Sequence, residues 1–102
     1  MIPADWPFDQ APNVAALTTV NVLEHGAPIL VVQHYEDDES WAFLCGTTSA
    51  DGDGRVIGML TALRLDPTLR EISDLPPGWR ADRIAKGAPW RRIPQPSPPS
   101  DD

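Results

Sequence analysis

Residues 29–46, ILVVQHYEDDESWAFLCG, constrain the fold of this chain more than any other stretch. The stretch contains two apolar runs: residues 29–32 are mostly β-branched, and residues 41–45 are rich in aromatic side chains. The four consecutive acidic residues between them suit a solvated turn and not a core. This pattern predicts a β-hairpin whose strands are apolar on both faces, so each face needs cover or a partner from elsewhere in the chain.

The segment before the hairpin carries signals for a short strand and a short helix. Residues 15–18 favour the strand. Val20 and Leu23 then lie three positions apart, as on one side of a helix. Thr18 or Thr19 precedes them as a candidate N-cap, and Gly26 lies where a helix C-terminus favours glycine. These signals predict about two turns of helix. The alternative is a single strand over residues 17–23 that turns at Gly26.

After the hairpin, five apolar residues fall at helical spacing: Val56, Ile57, Met59, Leu60 and Leu63. This spacing predicts an amphipathic helix with Asp53 as its N-cap. Asp66 precedes Pro67, so we expect the helix to end there and a second, short helix to begin with Asp66 as its N-cap. Leu69 and Ile72 give this second helix one apolar side.

The last third of the chain has turn signals and one weaker strand signal. Residues 75–78 predict a turn with Gly78 at a positive φ. Residues 79–84 partly alternate between apolar and charged side chains, which predicts a strand. A second turn is expected at residues 86–89, and Trp90 is expected to cap the core.

Together these elements predict an α+β fold: a small antiparallel sheet built on the central hairpin, with two or three short helices packed on one face. The 102 residues suffice for one domain, which we place at residues 14–93. Residues 1–13 are expected to form an irregular arm that Trp6 and Phe8 attach to the body. Residues 94–102 include four prolines and are expected to form a disordered tail.

Charge is distributed unevenly along the chain. The net charge is −7; residues 1–54 contain nine acidic residues and no lysine or arginine, and all eight basic residues follow. This balance argues against nucleic acid or an anionic membrane as the main partner. Three interpretations are open: the two halves face each other, the acidic side chains are solvated surface, or they form a face that docks a basic partner.

The sequence also predicts a cytoplasmic location. Cys45 is the single cysteine, so no intramolecular disulfide can form and an oxidising compartment offers no gain. The first residues lack the apolar stretch of a signal peptide, and no apolar run approaches the length of a membrane span.

No arrangement of residues predicts catalysis, a metal site or a cofactor. Cys45 and His34 could be a nucleophile and a base, but the hairpin would place them about 13 Å apart along the strands. Cys45 is therefore predicted to be a buried apolar residue. Ser49, Asp51 and Asp53 fit the start of an EF-hand loop, but the glutamate required at its twelfth position is missing. We expect the protein not to be an enzyme.

Two binding surfaces are predicted instead. The first is an acidic surface for another protein, formed by Glu36, Asp37, Asp38, Glu39, Asp51 and Asp53. The alternative is a site for an anion or a small molecule in the basic, Trp-containing C-terminal segment, formed by Arg80, Arg83 and Arg91. A third hypothesis has Trp6 and Trp90 buried against a neighbouring protein.

Three motifs resemble those of one family. Residues 41–46 (WAFLCG), 66–69 (DPTL) and 75–83 (LPPGWRADR) are similar to the W-x-F-x-x-G strand, the D-P-x-L helix start and the late glycine turn of small bacterial immunity-protein-like domains of unknown function. Residues 22–29 are similar to that family's pattern before its hairpin. The resemblance implies a compact α+β fold and, for some relatives, neutralisation of a toxin by binding; it implies no catalytic residues. We therefore predict a small bacterial protein that acts by protein–protein binding, as an immunity or accessory protein.

Overall fold

The computed structural model describes residues 6–8, 10–45 and 54–94. Its strands are β1 (Ala15–Thr19), β2 (Val31–His34), β3 (Trp41–Leu44), β4 (Gly54–Gly58), β5 (Trp79–Asp82) and β6 (Arg91–Pro94). Its helices are α1 (Val20–His25), α2 (Met59–Leu65) and a 3₁₀ helix (Pro67–Ile72). The six strands form one sheet in the order β4-β1-β3-β2-β5-β6. The helices pack on one face of this sheet, so the predicted α+β fold is confirmed.

The predicted hairpin is confirmed and lies in the middle of the sheet. β2 and β3 pair antiparallel, with His34 opposite Trp41 and Val32 opposite Phe43. β1 flanks β3 and β5 flanks β2, which gives the apolar hairpin strands partners on both sides. β1 runs parallel to β3, a pairing that the sequence did not predict, and the other four pairs are antiparallel.

The short helix before the hairpin is confirmed against the alternative strand. Thr19 has an extended backbone, and its hydroxyl accepts a hydrogen bond from the N–H of Val22 at 3.4 Å. Gly26 follows α1 with φ at 71°, in the left-handed region that glycine adopts without a steric penalty. β1 matches the strand predicted just before this helix.

The helix predicted over residues 56–63 is wrong in its first half. That half belongs to β4, which pairs antiparallel with β1 and places Val56 opposite Leu17. α2 begins only at Met59, after a glycine that provides no side-chain cap. β-branched residues suit a pleated sheet, and the pairing with β1 overrides the helical spacing. Asp53, the predicted N-cap, lies outside the described residues.

Asp66 has the predicted double role at the boundary between α2 and the 3₁₀ helix. Its Oδ1 accepts hydrogen bonds from the N–H of Thr68 at 3.0 Å and from the hydroxyl of Thr68 at 2.5 Å. Pro67 occupies the first turn of the 3₁₀ helix. Leu69 and Ile72 are fully buried, so the apolar side of this helix packs into the core as predicted.

The C-terminal third contains one predicted strand and one that was missed. β5 confirms the first, and the turn before it places Gly78 at the expected positive φ, 85°. The expected second turn includes Gly87 at φ 86°. β6 pairs with β5 and ends at Pro94, which the sequence assigned to the tail. Residues 95–102, the rest of the predicted tail, lie outside the described residues.

The core lies between the sheet and the helices. Its strand residues are Ala16, Val32, Trp41, Phe43, Ile57 and Ala81, and its helix residues are Val22, Met59, Ala62, Leu63, Leu69 and Ile72. Phe8 packs edge-on against Trp41, with ring centroids 5.1 Å apart, and Trp6 packs on Phe8. The predicted attachment of the N-terminal arm is confirmed. Trp90 is partly buried against the core, as expected.

Candidate binding surface

Strand register places one row of side chains across the face of the sheet opposite the helices. From β4 to β6, the successive cross-strand partners in this row are Val56, Leu17, Ala42, Gln33, Arg80 and Ile93. Because side chains alternate between the two faces of a strand, this row points away from the core. We call this surface the open face. It is apolar at the β4 edge and polar toward β5.

An apolar strip lies on the open face where β1 and β4 pair. It consists of Ala15, Leu17 and Val56, all exposed. Leu17 and Val56 are direct cross-strand partners and are 44% and 67% exposed. Single apolar side chains are common on protein surfaces, but neighbouring ones on a sheet without helical cover indicate a contact surface.

Residues 36–39, which we call the acidic turn, connect β2 to β3 and are all exposed. Hydrogen bonds fix the shape of this turn. The Oδ1 of Asp38 accepts from the backbone N–H of Ser40 at 3.1 Å and from its hydroxyl at 2.7 Å. Gln10, in the N-terminal arm, donates to the carbonyl of Glu39 at 2.8 Å. The acidic side chains therefore project from an ordered hairpin end.

The acidic turn lies at the same end of the sheet as the start of the apolar strip. Leu17 is level with Ala42 in the parallel β1–β3 pair. Two residues earlier on both strands, Ala15 is level with Ser40, which ends the turn. The apolar strip and the acidic turn can therefore contact one partner together.

Asp38 keeps its negative charge at neutral pH. Hydrogen bonds from Ser40 hold the pKa of Asp38 below its ordinary value. The hydroxyl of Tyr35 donates to the side-chain carbonyl of Gln33 on the open face at 2.5 Å. Burial, and then the charges of Asp38 and Asp37, raise the pKa of Tyr35, so this phenol stays neutral.

Five of the eight basic residues form ion pairs with described residues away from the acidic turn. Among the described residues, pairs join Arg55 to Glu24, Arg83 to Asp66, Arg92 to Asp74, and both Arg80 and Arg91 to Asp82. Asp37, Asp38 and Glu39 form no ion pair with any described residue. Within the described residues, the charges of Asp37, Asp38 and Glu39 are therefore not neutralised by ion pairs.

A groove of about 700 Å³ opens at the other end of the open face. Val31, Asp82 and Arg91 lie side by side on β2, β5 and β6 and form part of its lining. The remaining lining residues are Leu30, Cys45, Arg83, Ile84, Ala88 and Pro89. Val31 lies in the groove lining, and the acidic turn begins five residues later at Glu36, a distance of about 16 Å along an extended chain.

Two of the three arginines of the predicted anion site line this groove, Arg83 and Arg91. Arg80 lies beside them, because it and Arg91 pair with Asp82 at 2.9 and 3.0 Å. Hydrogen bonds, first from Arg91 and then from Arg80, lower the pKa of Asp82 in spite of its partial burial. Arg83 pairs with the buried carboxylate of Asp66 at 2.5 Å. Each of these guanidinium groups thus already has a carboxylate partner.

Cys45 and His34 do not form a catalytic pair. His34 lies opposite Trp41 in the register, four positions before Cys45, as the sequence predicted. The His34 ring stacks on Trp41 with centroids 4.0 Å apart, and its Nδ1–H donates to the carbonyl of Leu75 at 2.7 Å. Cys45 is 5% exposed, which confirms the prediction of a buried residue.

Other predicted sites have different outcomes. Asp51 and Asp53, assigned to the acidic surface, and Ser49 lie outside the described residues.

Within the described ranges, no group of three or more His, Cys, Asp or Glu side chains could hold a metal ion, and no helix has the length and apolar character to cross a membrane. Trp6 and Trp90 are half-buried by their own chain, Trp6 through Phe8 and Trp90 against the Arg83 guanidinium at 4.0 Å.

Comparisons with protein-family models, with curated proteins and with solved structures find no match to this chain. The resemblance to immunity-protein-like domains therefore stays a prediction.

The sequence patterns predicted neither the apolar strip nor the groove. Val56 was assigned to a helix, and Leu17 was assigned to a short strand without a prediction of which face it occupies, so neither was expected on a surface. The signal was present in Gly54–Gly58, a β-branched pair between two glycines directly after a turn-rich segment, a pattern that also fits a short strand.

Proposed function

We propose that this protein acts by binding another protein, through the apolar strip and the acidic turn beside it. The observation that carries the proposal is the exposed pair Leu17 and Val56, on a sheet face that no described helix covers. Beside this pair lie the carboxylates of Asp37, Asp38 and Glu39, which form no ion pair with any described residue. The partner is expected to present an apolar surface bordered by basic side chains.

The two parts of this surface have different roles in binding. Full burial of an exposed Leu or Val side chain contributes about 1.5–3 kcal/mol, so the apolar strip supports affinity. Opposite charges across an interface mainly raise the association rate and select the partner. Because the acidic turn is already ordered by Ser40 and Gln10, little conformational entropy is lost there on binding.

An immunity or accessory role is the specific form of this proposal. It rests on the motifs at residues 41–46, 66–69 and 75–83. Residues 41–44 of the first motif form β3, the second lies at the start of the 3₁₀ helix, and the third surrounds β5. An immunity protein of this kind neutralises its toxin by binding, which needs an accessible surface and no catalytic group.

A pull-down with matched variants tests the proposal. The protein is immobilised and exposed to a lysate of its source organism at low and moderate salt. Val56→Asp should weaken the capture of a stoichiometric partner, and so should Asp37→Lys combined with Glu39→Lys. The second variant spares Asp38, whose carboxylate holds the turn together. Moderate salt should weaken capture by the wild type.

The control is Ile84→Asp, which places the same new charge at an exposed residue far from the apolar strip and should leave capture unchanged. The proposal is contradicted if both surface variants retain the partner as well as the wild type does.

Binding of an anion or a small molecule is the second candidate, favoured by the position of Arg83 and Arg91 in the groove lining. It ranks second because their guanidinium groups already donate to Asp66 and Asp82. A thermal-shift titration with inorganic phosphate and simple carboxylates tests it: stabilisation that Arg91→Met abolishes would support this candidate, and no shift would exclude these anions as ligands.

A further inference from the structure

Ile84 is the most exposed large apolar residue in the described part of the chain, at 92%. It follows β5 and belongs to the lining of the groove. The wall beside it is largely apolar, since it includes Leu30, Val31, Ala88 and Pro89. A protruding apolar side chain and an apolar groove thus lie next to each other on one surface.

This adjacency fits a two-fold symmetric contact. In an isologous interface the same patch meets itself, so a projecting side chain of one subunit enters the recess of the other, and the reverse contact forms by symmetry. We propose that two copies of this chain associate through the groove, each inserting Ile84 between the Val31 and Pro89 walls of the other.

The charges around the groove suit a second copy. Asp82 and Arg91, of opposite sign, lie side by side in the lining. They pair with each other at 3.0 Å within one chain, so this part of the contact places no unpaired charge of one copy against the other. Two chains with a net charge of −7 repel each other overall. The groove lies at the end of the sheet away from the acidic turn, where that repulsion is smallest.

The contact is small, so the association is expected to be weak. One side chain and one groove on each subunit correspond to the low end of specific interfaces, and we expect a dissociation constant on the order of 10–100 µM. Since the apolar contact dominates, the dimer should persist when salt is raised, and the closed symmetry should stop assembly at two copies.

Sedimentation velocity on the full chain, from low micromolar to near-millimolar concentration, tests this inference. The wild type should shift from monomer to dimer. Ile84→Asp should weaken the dimer by about tenfold or more, as expected for a central apolar contact. Val56→Asp adds the same charge at an exposed β-branched residue on the opposite edge of the sheet and should dimerise like the wild type. Circular dichroism establishes that both variants fold.

Several outcomes would overturn the inference. A wild type that stays monomeric throughout, a dimer that Ile84→Asp leaves intact, or assembly beyond a dimer would each do so. Growth beyond the dimer that moderate salt reverses would indicate head-to-tail contact between the acidic turn and the basic end of another copy. None of these results bears on the apolar strip, so the inference and the proposed partner binding stand or fall separately.

Discussion

Arg83 and Asp66 form a buried ion pair that joins the end of β5 to the start of the 3₁₀ helix. Their Nη2 and Oδ2 atoms are 2.5 Å apart, and the two side chains are 0% and 3% exposed. Arg83 also donates to the carbonyl of Ile29 from Nε at 3.1 Å and from Nη2 at 2.9 Å. The ring of Trp90 lies against its guanidinium. This contact ties together three segments that are distant in sequence.

Removal of one member of this pair should destabilise the fold strongly. Arg83→Met leaves the Asp66 carboxylate and the Ile29 carbonyl without their buried donor, and we expect a loss of about 3–5 kcal/mol in the free energy of unfolding. Urea denaturation measures this loss. Arg92→Met is the matched control, because its ion pair with Asp74 is exposed and should contribute about 0–1 kcal/mol. Equal losses in the two variants would contradict a structural role for Arg83.

Stability should also depend on the protonation of Asp66. Burial raises the pKa of Asp66, but hydrogen bonds from Thr68 and Arg83 outweigh it and leave the pKa below its ordinary value. A lowered folded-state pKa stabilises the fold above the unfolded-state pKa, about 3.9, and this contribution is lost as the pH falls through the folded-state value.

The corresponding experiment compares the wild type with Asp66→Asn by urea denaturation from neutral to acidic pH. The difference in unfolding free energy should be constant above about pH 5 and should shrink below about pH 4, where the wild type loses the same charge. Asp74→Asn, at the exposed pair, should differ little from the wild type at neutral pH. A gap between wild type and Asp66→Asn that is unchanged at low pH would contradict this assignment.

Gly26 should resist substitution for reasons of backbone conformation alone. Its φ is 71°, and a Cβ built there would meet no atom within 4 Å. Gly26→Ala should therefore cost about 1–2 kcal/mol through the left-handed conformation. Gly54→Ala, where the space is also open and φ is not positive, should be nearly neutral. If the two variants have the same stability, α1 does not end in the left-handed cap described here.

The Cys45 thiol should be protected in the native state. It is 5% exposed at the end of β3, so a thiol reagent should react with it orders of magnitude more slowly in native protein than in denaturant. The rate of labelling with a chromogenic disulfide reagent measures this protection. Fast native labelling would show an accessible thiol and would contradict its place in the core.

The elements predicted correctly are those whose signals are local. The hairpin is marked by two apolar runs around four acidic residues. α1 is marked by Thr19 at one end and Gly26 at the other, and Asp66 with Pro67 marks the start of the 3₁₀ helix. In each case the structure is determined by residues close together in sequence, through a side chain that caps a helix or a backbone angle that one residue type favours.

The missed elements depend on distant partners. The residues around Val56 fit both a helix and a strand, and only the pairing of Val56 with Leu17 on β1 determines that they form a strand. Arg91–Pro94 has neither apolar alternation nor a majority of residues with a high β-strand propensity. It is a strand because it pairs with β5 at the edge of the sheet, where charged residues and proline are tolerated. The pair Arg83 and Asp66 follows no spacing rule. The open face was invisible for the same reason, because it exists only once β1 and β4 are paired.

Site-specific photocrosslinking in the source organism tests the central claim, that the open face binds another protein, most directly. A photoreactive residue at position 56 lies on the apolar strip, and one at Arg64, an exposed residue of α2, lies on the helical side as the control. We predict a defined adduct with one protein from position 56, weakened when Asp37 and Glu39 are changed to lysine, and no such adduct from position 64. The absence of an adduct from position 56, or the same adduct from both positions, would contradict the claim.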